Sequence, residues 1–468
     1  EEEAIKCKKK EDWKGDRTKL RPSTLLNTMH KLFEKLLNDR LCDILNGHQL
    51  LQGPNFGFQA GQGTAEPLFI LSNVLDLCKD TKTTFYTAAL DVAAAFDKLP
   101  WKAIEDGLSR IKAPENFIRL LQTMHENRTL TINTPFGKTR PFTPNIGVAQ
   151  GGILSPILWL IAYDPLLQAL QERSQGITLP SLDDETPVKI CCFAYADDLH
   201  PIAITEEDLQ LQLNMIHSFL SFYNMEMNAS KSHILTNIKS DTCRFPTNST
   251  FSIANSFISV KSPHEITRIL GVWMSMDNMH QETREHTIAK LNIVVNLILS
   301  KAVPGSLGAY LAKTVVQPQV LYRLQNTFCT VEDYDTINVA LRKITKKKML
   351  LPMNTRNEAL EDKRLKLGVQ DFKTAHEKAL ISNALVFISS NNRIGNFTRA
   401  MVNYFLSREE TPLTLFEAPI NFSAAKQKNS TIKLISTMLF NHGIQFRIPD
   451  SAGTPVYYQI LQIRNAQG

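Results

Sequence analysis

The chain has no Cys-x-x-Cys pair. Its seven cysteines stand at positions 7, 42, 78, 191, 192, 243 and 329, and no Cys/His cluster has the spacing of a zinc site. That spacing predicts reduced thiols in a nuclear or cytoplasmic protein rather than a secreted one. A second histidine four positions on is missing after His125-Glu126, His264-Glu265 and His376-Glu377, which excludes the zinc-protease helix. No uncharged run is long enough to span a bilayer, so no membrane partner is expected. No signal-peptide pattern opens the sequence, and it starts at Glu1 without a methionine, as a fragment would. Repeats and low-complexity tracts are lacking as well.

What is present is a long chain, 43% hydrophobic, with a net charge of +6. Its 468 residues exceed the usual single-domain size, so two or more subdomains are expected. The mild basicity suits a polyanionic partner without requiring one.

The richest stretch is Phe193-Ala194-Tyr195-Ala196-Asp197-Asp198-Leu199. Apolar runs flank two adjacent carboxylates, which reads as two short strands joined by an acidic turn. Such a turn either is an ordinary polar tip or offers oxygen ligands to a hard cation. Upstream, Thr83 to Leu90 reads as a strand ending at Asp91, with Val92 to Asp97 turning into a helix. An antiparallel sheet can bring Asp91 to the acidic hairpin. Three converging carboxylates would repel each other, and divalent cations would relieve that repulsion. Between these segments lies Gln150-Gly151-Gly152-Ile153-Leu154-Ser155-Pro156, then a long apolar helix through Leu170. Paired glycines admit close approach of another backbone or a base, and Ser155-Pro156 suits a helix N-terminus.

The order of these three motifs resembles the palm of a reverse transcriptase, and more narrowly the non-LTR retrotransposon (LINE-type) family. Arg21-Pro22-Ser23-Thr24-Leu25-Leu26-Asn27-Thr28 is similar to that family's first finger motif, and Asn55-Phe56-Gly57-Phe58-Gln59-Ala60-Gly61 with Thr64 to its second. Asn228 to Ser232 resembles the motif after the acidic hairpin, Leu270-Gly271-Val272 the primer-grip turn, and Leu367-Gly368-Val369 a later short element. Gln59 departs from the arginine often found there, and Ala149 and Gly152 depart from the usual glycine-motif residues.

The resemblance implies an α+β right-hand polymerase with an antiparallel-sheet palm, fingers and a helical thumb. Its expected divisions are an N-terminal arm and fingers at 1–80, a palm with further finger elements at 81–276, a thumb at 277–374 and a helical extension of unassigned role at 375–468. It implies RNA-directed DNA synthesis on an RNA template from a DNA primer and dNTPs, using two Mg2+ ions, with Mn2+ as a substitute. Asp91, Asp197 and Asp198, with the Val92 carbonyl, would hold the metals. Arg21, with Lys19 nearby, would meet the triphosphate. Gln150, Gly151 and Gly152 would face the template and nascent pair, and Tyr195 and Ala196 would shape the hairpin beside the primer end. Phe96 is either a gate against a ribose 2′-hydroxyl or a core residue. Lys231 is either a general acid for pyrophosphate or a surface lysine. Arg342, Lys343, Lys346, Lys347 and Lys348 are either a solvated helix face or a grip on nucleic-acid phosphates. The competing readings are a catalytically silent RNA-binding scaffold, an RNA-directed RNA polymerase and a group II intron maturase.

Local patterns complete the expectations. Residues 1–21 read as a disordered arm, with Lys6 to Lys10 solvated. Helices are expected over 24–46, with a stripe of Leu25, Met29, Leu32, Leu36, Leu41 and Leu45, and over 65–80 and 101–127. Residues 129–134 read as a strand and 172–188 as a loop or small insertion. A helix capped by Thr205 follows, then a β-rich 238–263 segment and helices from about 278.

Overall fold

The computed structural model describes residues 2–9, 20–126, 128–134, 136–179, 187–238, 251–253, 256–277, 279–361, 369–407, 419–422 and 430–444, with side chains from residue 23. The architecture is α+β, as the sequence predicts. A five-stranded sheet runs in the order Ser259–Val260, His233–Thr236, Tyr86–Ala89, Asp198–Ala203, Cys192–Tyr195. All its pairings are antiparallel except the first, which is parallel. Both faces are covered. Phe193, Ile202 and Leu235 join one core with the helix Ala65–Thr81. Ala88, Leu90, Leu199 and Ile234 join another with the helices Trp101–Arg110, Ser155–Arg173 and Glu206–Phe222. Two-sided burial explains why these strands read as continuous apolar runs and not as alternation.

Several elements differ from expectation. The N-terminal arm is a strand, Glu2–Lys9, between Leu20–Leu25 and Thr129–Thr134 in a four-stranded sheet that ends at Gly137–Lys138. Lys6, Lys8 and Lys9 therefore belong to a ladder and not to a solvated tail; Lys10 lies outside the described residues. Backbone hydrogen bonds hold this strand, and they leave no hydrophobic period to read. The 101–127 helix is two, Trp101–Arg110 and Glu115–Glu126, separated where Lys112 adopts a φ of 57° and Pro114 follows. The 172–188 segment contains a strand pair, Ile177–Leu179 with Val188–Ile190. In the helix Thr28–Gly47, Leu41 and Leu45 are buried, but Met29, Leu32 and Leu36 are exposed, as is Leu25 just before it.

Thr205 caps its helix by accepting the Asp208 amide. The helices from Met279 onward form a separate core through Leu291, Val316, Ile337, Leu341 and Phe372. The later helices Phe372–Ser389, Arg393–Ser407 and Thr431–Asn441 pack on Phe69 and its neighbours in the first sheet core. Asp76 accepts both the amide and the hydroxyl of Thr431, fixing that contact. Among the described residues, no helix is long and apolar enough to cross a membrane.

Gly107 marks a close crossing of the helices Trp101–Arg110 and Ser155–Arg173 under the sheet. A Cβ there would stand 2.6 Å from the Ile161 carbonyl oxygen. Helix propensity alone favours Gly107→Ala by about 1 kcal/mol, whereas overpacking costs about 1–3 kcal/mol. Packing should win: the variant is expected to melt lower than wild type in a thermal unfolding scan, and a higher Tm would contradict this crossing.

Candidate active site

The centre of the site follows from strand register. Leu90 and Leu199 exchange both backbone hydrogen bonds, at 3.0 and 3.3 Å, in the register of Tyr86 with Ala203 and Thr87 with Ile202. The next positions along that ladder are Asp91 and Asp198. Residues directly opposite on adjacent strands project to one face, so the two carboxylates share it. Tyr195 pairs with Asp198 across the neighbouring hairpin, which leaves Ala196 and Asp197 as its two-residue tip. Asp198 is thus the first residue of a strand, and Asp197 belongs to the turn. Burial, then the Asp197 charge, then the Asp91 charge push the Asp198 carboxyl up to about 6.

The loop after the sheet supports Asp91. The Asp91 amide donates to Ser232 Oγ at 3.3 Å, its carbonyl accepts the Asn228 amide at 2.8 Å, and Lys231 Nζ stands 3.4 Å from Asp91 Oδ2. Val92 is buried and bridges Met227. The carboxylates are neighbours and not a closed cage: among the described residues, no three His, Cys, Asp or Glu side chains are grouped to hold an ion. The donor set nonetheless fits a hard cation, since it is all oxygen, and such a cation would offset the burial and the neighbouring charges that raise the Asp198 pKa.

Phe96 is half-buried, stacked on Trp159 at 5.8 Å and met edge-on by Phe58 at 6.0 Å. Gln150 donates to Asp97 Oδ2 at 2.9 Å, and its carbonyl accepts the Thr24 amide at 2.8 Å. Gly151, at φ 131°, is needed for a backbone: a Cβ would come within 2.6 Å of the Thr24 carbonyl oxygen. Gly152 faces Ser155 Oγ and Glu34. Ser155 is inside its helix and not its cap; its hydroxyl closes the loop onto the Ala149 carbonyl at 2.7 Å, while Glu34 accepts the Ile153 amide at 2.6 Å. Arg21 lies on the strand Leu20–Leu25, its backbone opposite Lys8, and its side chain falls outside the described ones. Lys19, Leu367 and Gly368 also lie outside the described residues.

The basic cluster of the Val331–Lys348 helix is divided by its partners. Arg342 pairs with Glu361 at 3.2 Å and Asp371 at 3.5 Å. Lys346 is buried and donates to the Met353 carbonyl, and Lys348 donates to the carbonyls of Leu299 and Lys301. Lys347 is exposed and Lys343 partly so.

A basic cluster that sequence reasoning missed lies at the Leu270-Gly271 turn, where both residues take positive φ between the strands Thr267–Ile269 and Val272–Met274. The Tyr322 hydroxyl donates to the Leu270 carbonyl. Burial and the nearby Arg268 charge lower the Arg323 pKa, and burial, Lys290 and Arg323 lower that of His286, whose ring lies 4.8 Å from Trp273. Three elements contribute these groups, so no local motif announces them. Asn55 and Trp159, which bond the hairpin tip, were legible only as parts of a finger motif and a core helix.

The family model described as "Reverse transcriptase (RNA-dependent DNA polymerase)" matches residues 7–274. The Retrovirus-related Pol polyprotein from type-1 retrotransposable element R2 of Nasonia vitripennis is 27% identical over 316 residues, covering 65% of this chain and 29% of that protein. The corresponding type-2 element R2DM protein of Drosophila melanogaster is 31% identical over 211 residues, covering 45% and 19%. The chain spans less than half the length of the curated R2 relatives it matches. Among solved structures, apo telomerase from Candida Tropicalis is 13% identical at a TM-score of 0.41, covering 92% of this chain and 68% of that one. With more than half of its length matched by that model, and with relatives from R2 and other non-LTR retrotransposons, the chain belongs to the reverse transcriptase (RNA-dependent DNA polymerase) family.

Proposed function

We propose that this protein extends a DNA primer with dNTPs on an RNA template. The observation that carries the reading is the ladder position of Asp91 opposite Asp198, with Asp197 next to it at the hairpin tip. A silent scaffold has no use for two acids set opposite each other on one sheet face with a third at the adjoining turn. Asp91, Asp197 and Asp198 would hold the Mg2+ or Mn2+ ions. When bound, a pair of ions supplies charge neutralisation at the attacking and leaving oxygens of phosphoryl transfer.

This chain's residues do the rest. Ser232 and Asn228 fix the Asp91 backbone. Lys231 would shift from Asp91 to the departing pyrophosphate and donate its proton there. Arg21, with Lys19, would take triphosphate oxygens as charge-assisted hydrogen bonds. Gln150, oriented by Asp97, would stand beside the nascent base pair, and Gly151 would hold the finger strand close to it. Phe96, backed by Trp159, would press on the sugar and exclude a 2′-hydroxyl; this favours DNA over RNA synthesis. Arg268, His286, Lys290 and Arg323, with the exposed Lys347 and the partly exposed Lys343, would line the path of the nucleic-acid phosphates. Cys42, Cys78, Cys191, Cys192 and Cys329 are free thiols, which accords with the nucleus or cytoplasm.

Three outcomes test this reading. Asp197→Ala with Asp198→Ala should cut primer extension on RNA by roughly 10³-fold while the Tm stays level or rises, because repelling charges are removed. Full extension by that variant would refute the carboxylate site. Phe96→Ala should raise ribonucleotide incorporation roughly 10- to 100-fold in a dNTP-against-NTP competition; an unchanged ratio makes Phe96 a packing residue. The third concerns pH. Asp198's raised pKa means that, without a cation, its contribution to stability is greatest below about 4 and is lost as pH rises through about 6. Mg2+ should therefore raise the Tm more at pH 7 than at pH 5, where the ion must displace a proton. Equal shifts at both would separate the ion from Asp198.

A further inference from the structure

The hairpin tip has an unusual backbone. Ala196 has a φ of 59°, at the first central position of a two-residue turn. A tight hairpin commonly places glycine there, because a Cβ resists that conformation. A restraint comes from the segment after the helix Thr28–Gly47, more than a hundred residues earlier.

Asn55, itself buried, satisfies both backbone groups of Ala196 with one side chain. Its Oδ1 accepts the Ala196 amide at 3.0 Å, and its Nδ2 donates to the Ala196 carbonyl at 3.1 Å. The Oδ1 also accepts the Gly57 amide at 2.9 Å, which fixes the orientation of the amide. Trp159 Nε1 donates to the same Ala196 carbonyl at 2.9 Å. Gly57 closes the contact, since a Cβ at that position would collide with the Ala196 amide nitrogen.

The Asn55 segment is anchored in turn. Phe56 donates to the Ala194 carbonyl at 2.9 Å, and Ala194 donates to the Pro54 carbonyl at 2.8 Å, so the segment lies as an extra strand beside the hairpin. The Gly53 amide donates to the buried Asp164 at 2.6 Å, and Asp164 is paired with Arg110. From the C-terminal helices, Arg393 donates to the Gln52 carbonyl.

We infer that Asn55 is a positioning residue for nucleotidyl transfer: it clamps Ala196 in a left-handed turn and thereby sets where Asp197 and Asp198 point. This rests on the polymerase reading above. Asn55 touches no reacting atom. It acts because the carboxylates on either side of the turn inherit their direction from Ala196, and small misplacements of reacting groups are costly to rate. Loss of the clamp therefore falls on kcat, with little effect on dNTP binding. A glycine at 196 adopts the same φ without a clamp, so it should replace the lost restraint.

Primer extension on an RNA template, measured with Mg2+ at varied dNTP, separates the outcomes. Wild-type activity must be present; its absence counts against the polymerase reading and not against the clamp. With wild type active, Asn55→Ala is expected to lose about 100-fold in kcat with KM for dNTP changed less than about threefold. Adding Ala196→Gly to that variant is expected to recover at least about tenfold. Full kcat in Asn55→Ala overturns the inference. So does a reduced kcat that Ala196→Gly does not improve. If Asn55→Ala fails to fold, by circular dichroism and thermal unfolding, the double variant decides: restored folding with restored extension supports the clamp, and failure to restore both overturns it.

Discussion

Strand register between Tyr86–Ala89 and Asp198–Ala203 is the constraint on which the site depends. Side chains alternate faces along a strand, so a slip of one residue would turn Asp198 away from Asp91 and bury a carboxylate among Leu90, Trp159 and Tyr163. Two-sided burial protects against that slip. Leu199 and Leu90 must enter one core, and Ile202 and Phe193 the other. The hydrophobic pattern that stabilises the sheet thus also aligns the acids. The burial and charge repulsion that together raise the Asp198 pKa are carried by a framework that cannot easily rearrange.

Close backbone approach is the second theme. Gly151 lets the strand Leu20–Leu25 reach the Gln150 loop, Gly147 lets that loop lie on the Asp97 carbonyl, and Gly57 lets the Asn55 segment reach the hairpin tip. Each glycine joins two segments that are distant in sequence. The motifs spaced along the sequence are therefore joined physically, through backbone contacts that no side chain larger than hydrogen would permit. The C-terminal helices enter the same network through Asp76–Thr431 and Arg393–Gln52.

Much of this was legible in the sequence. The acidic hairpin, the Asp91 strand end, the Thr205 cap and the helix after the glycine motif all followed from local pattern and ordered motifs. What was hidden depended on distant partners. Glu2–Lys9 is a strand because two others flank it, not because its residues favour one. The run of charges from Arg342 to Lys348 looked like one surface, but Glu361, Asp371 and three carbonyls claim its alternate members. Asn55 read as one letter of a motif; its role emerges only beside Ala196. The Leu25, Met29, Leu32, Leu36 stripe has core spacing and lies exposed, and nothing in the described residues explains it.

Cross-linking tests the central geometric claim most directly. Leu90 and Leu199 form the hydrogen-bonded pair, so Asp91 and Asp198 form the adjacent, closer non-hydrogen-bonded pair, about 4.5 Å between Cα atoms; that separation permits a disulfide. An Asp91→Cys/Asp198→Cys variant, oxidised mildly and mapped by peptide mass spectrometry, is predicted to yield a 91–198 bridge as the dominant new species. A folded protein in which both thiols remain reduced would contradict the register and, with it, the site.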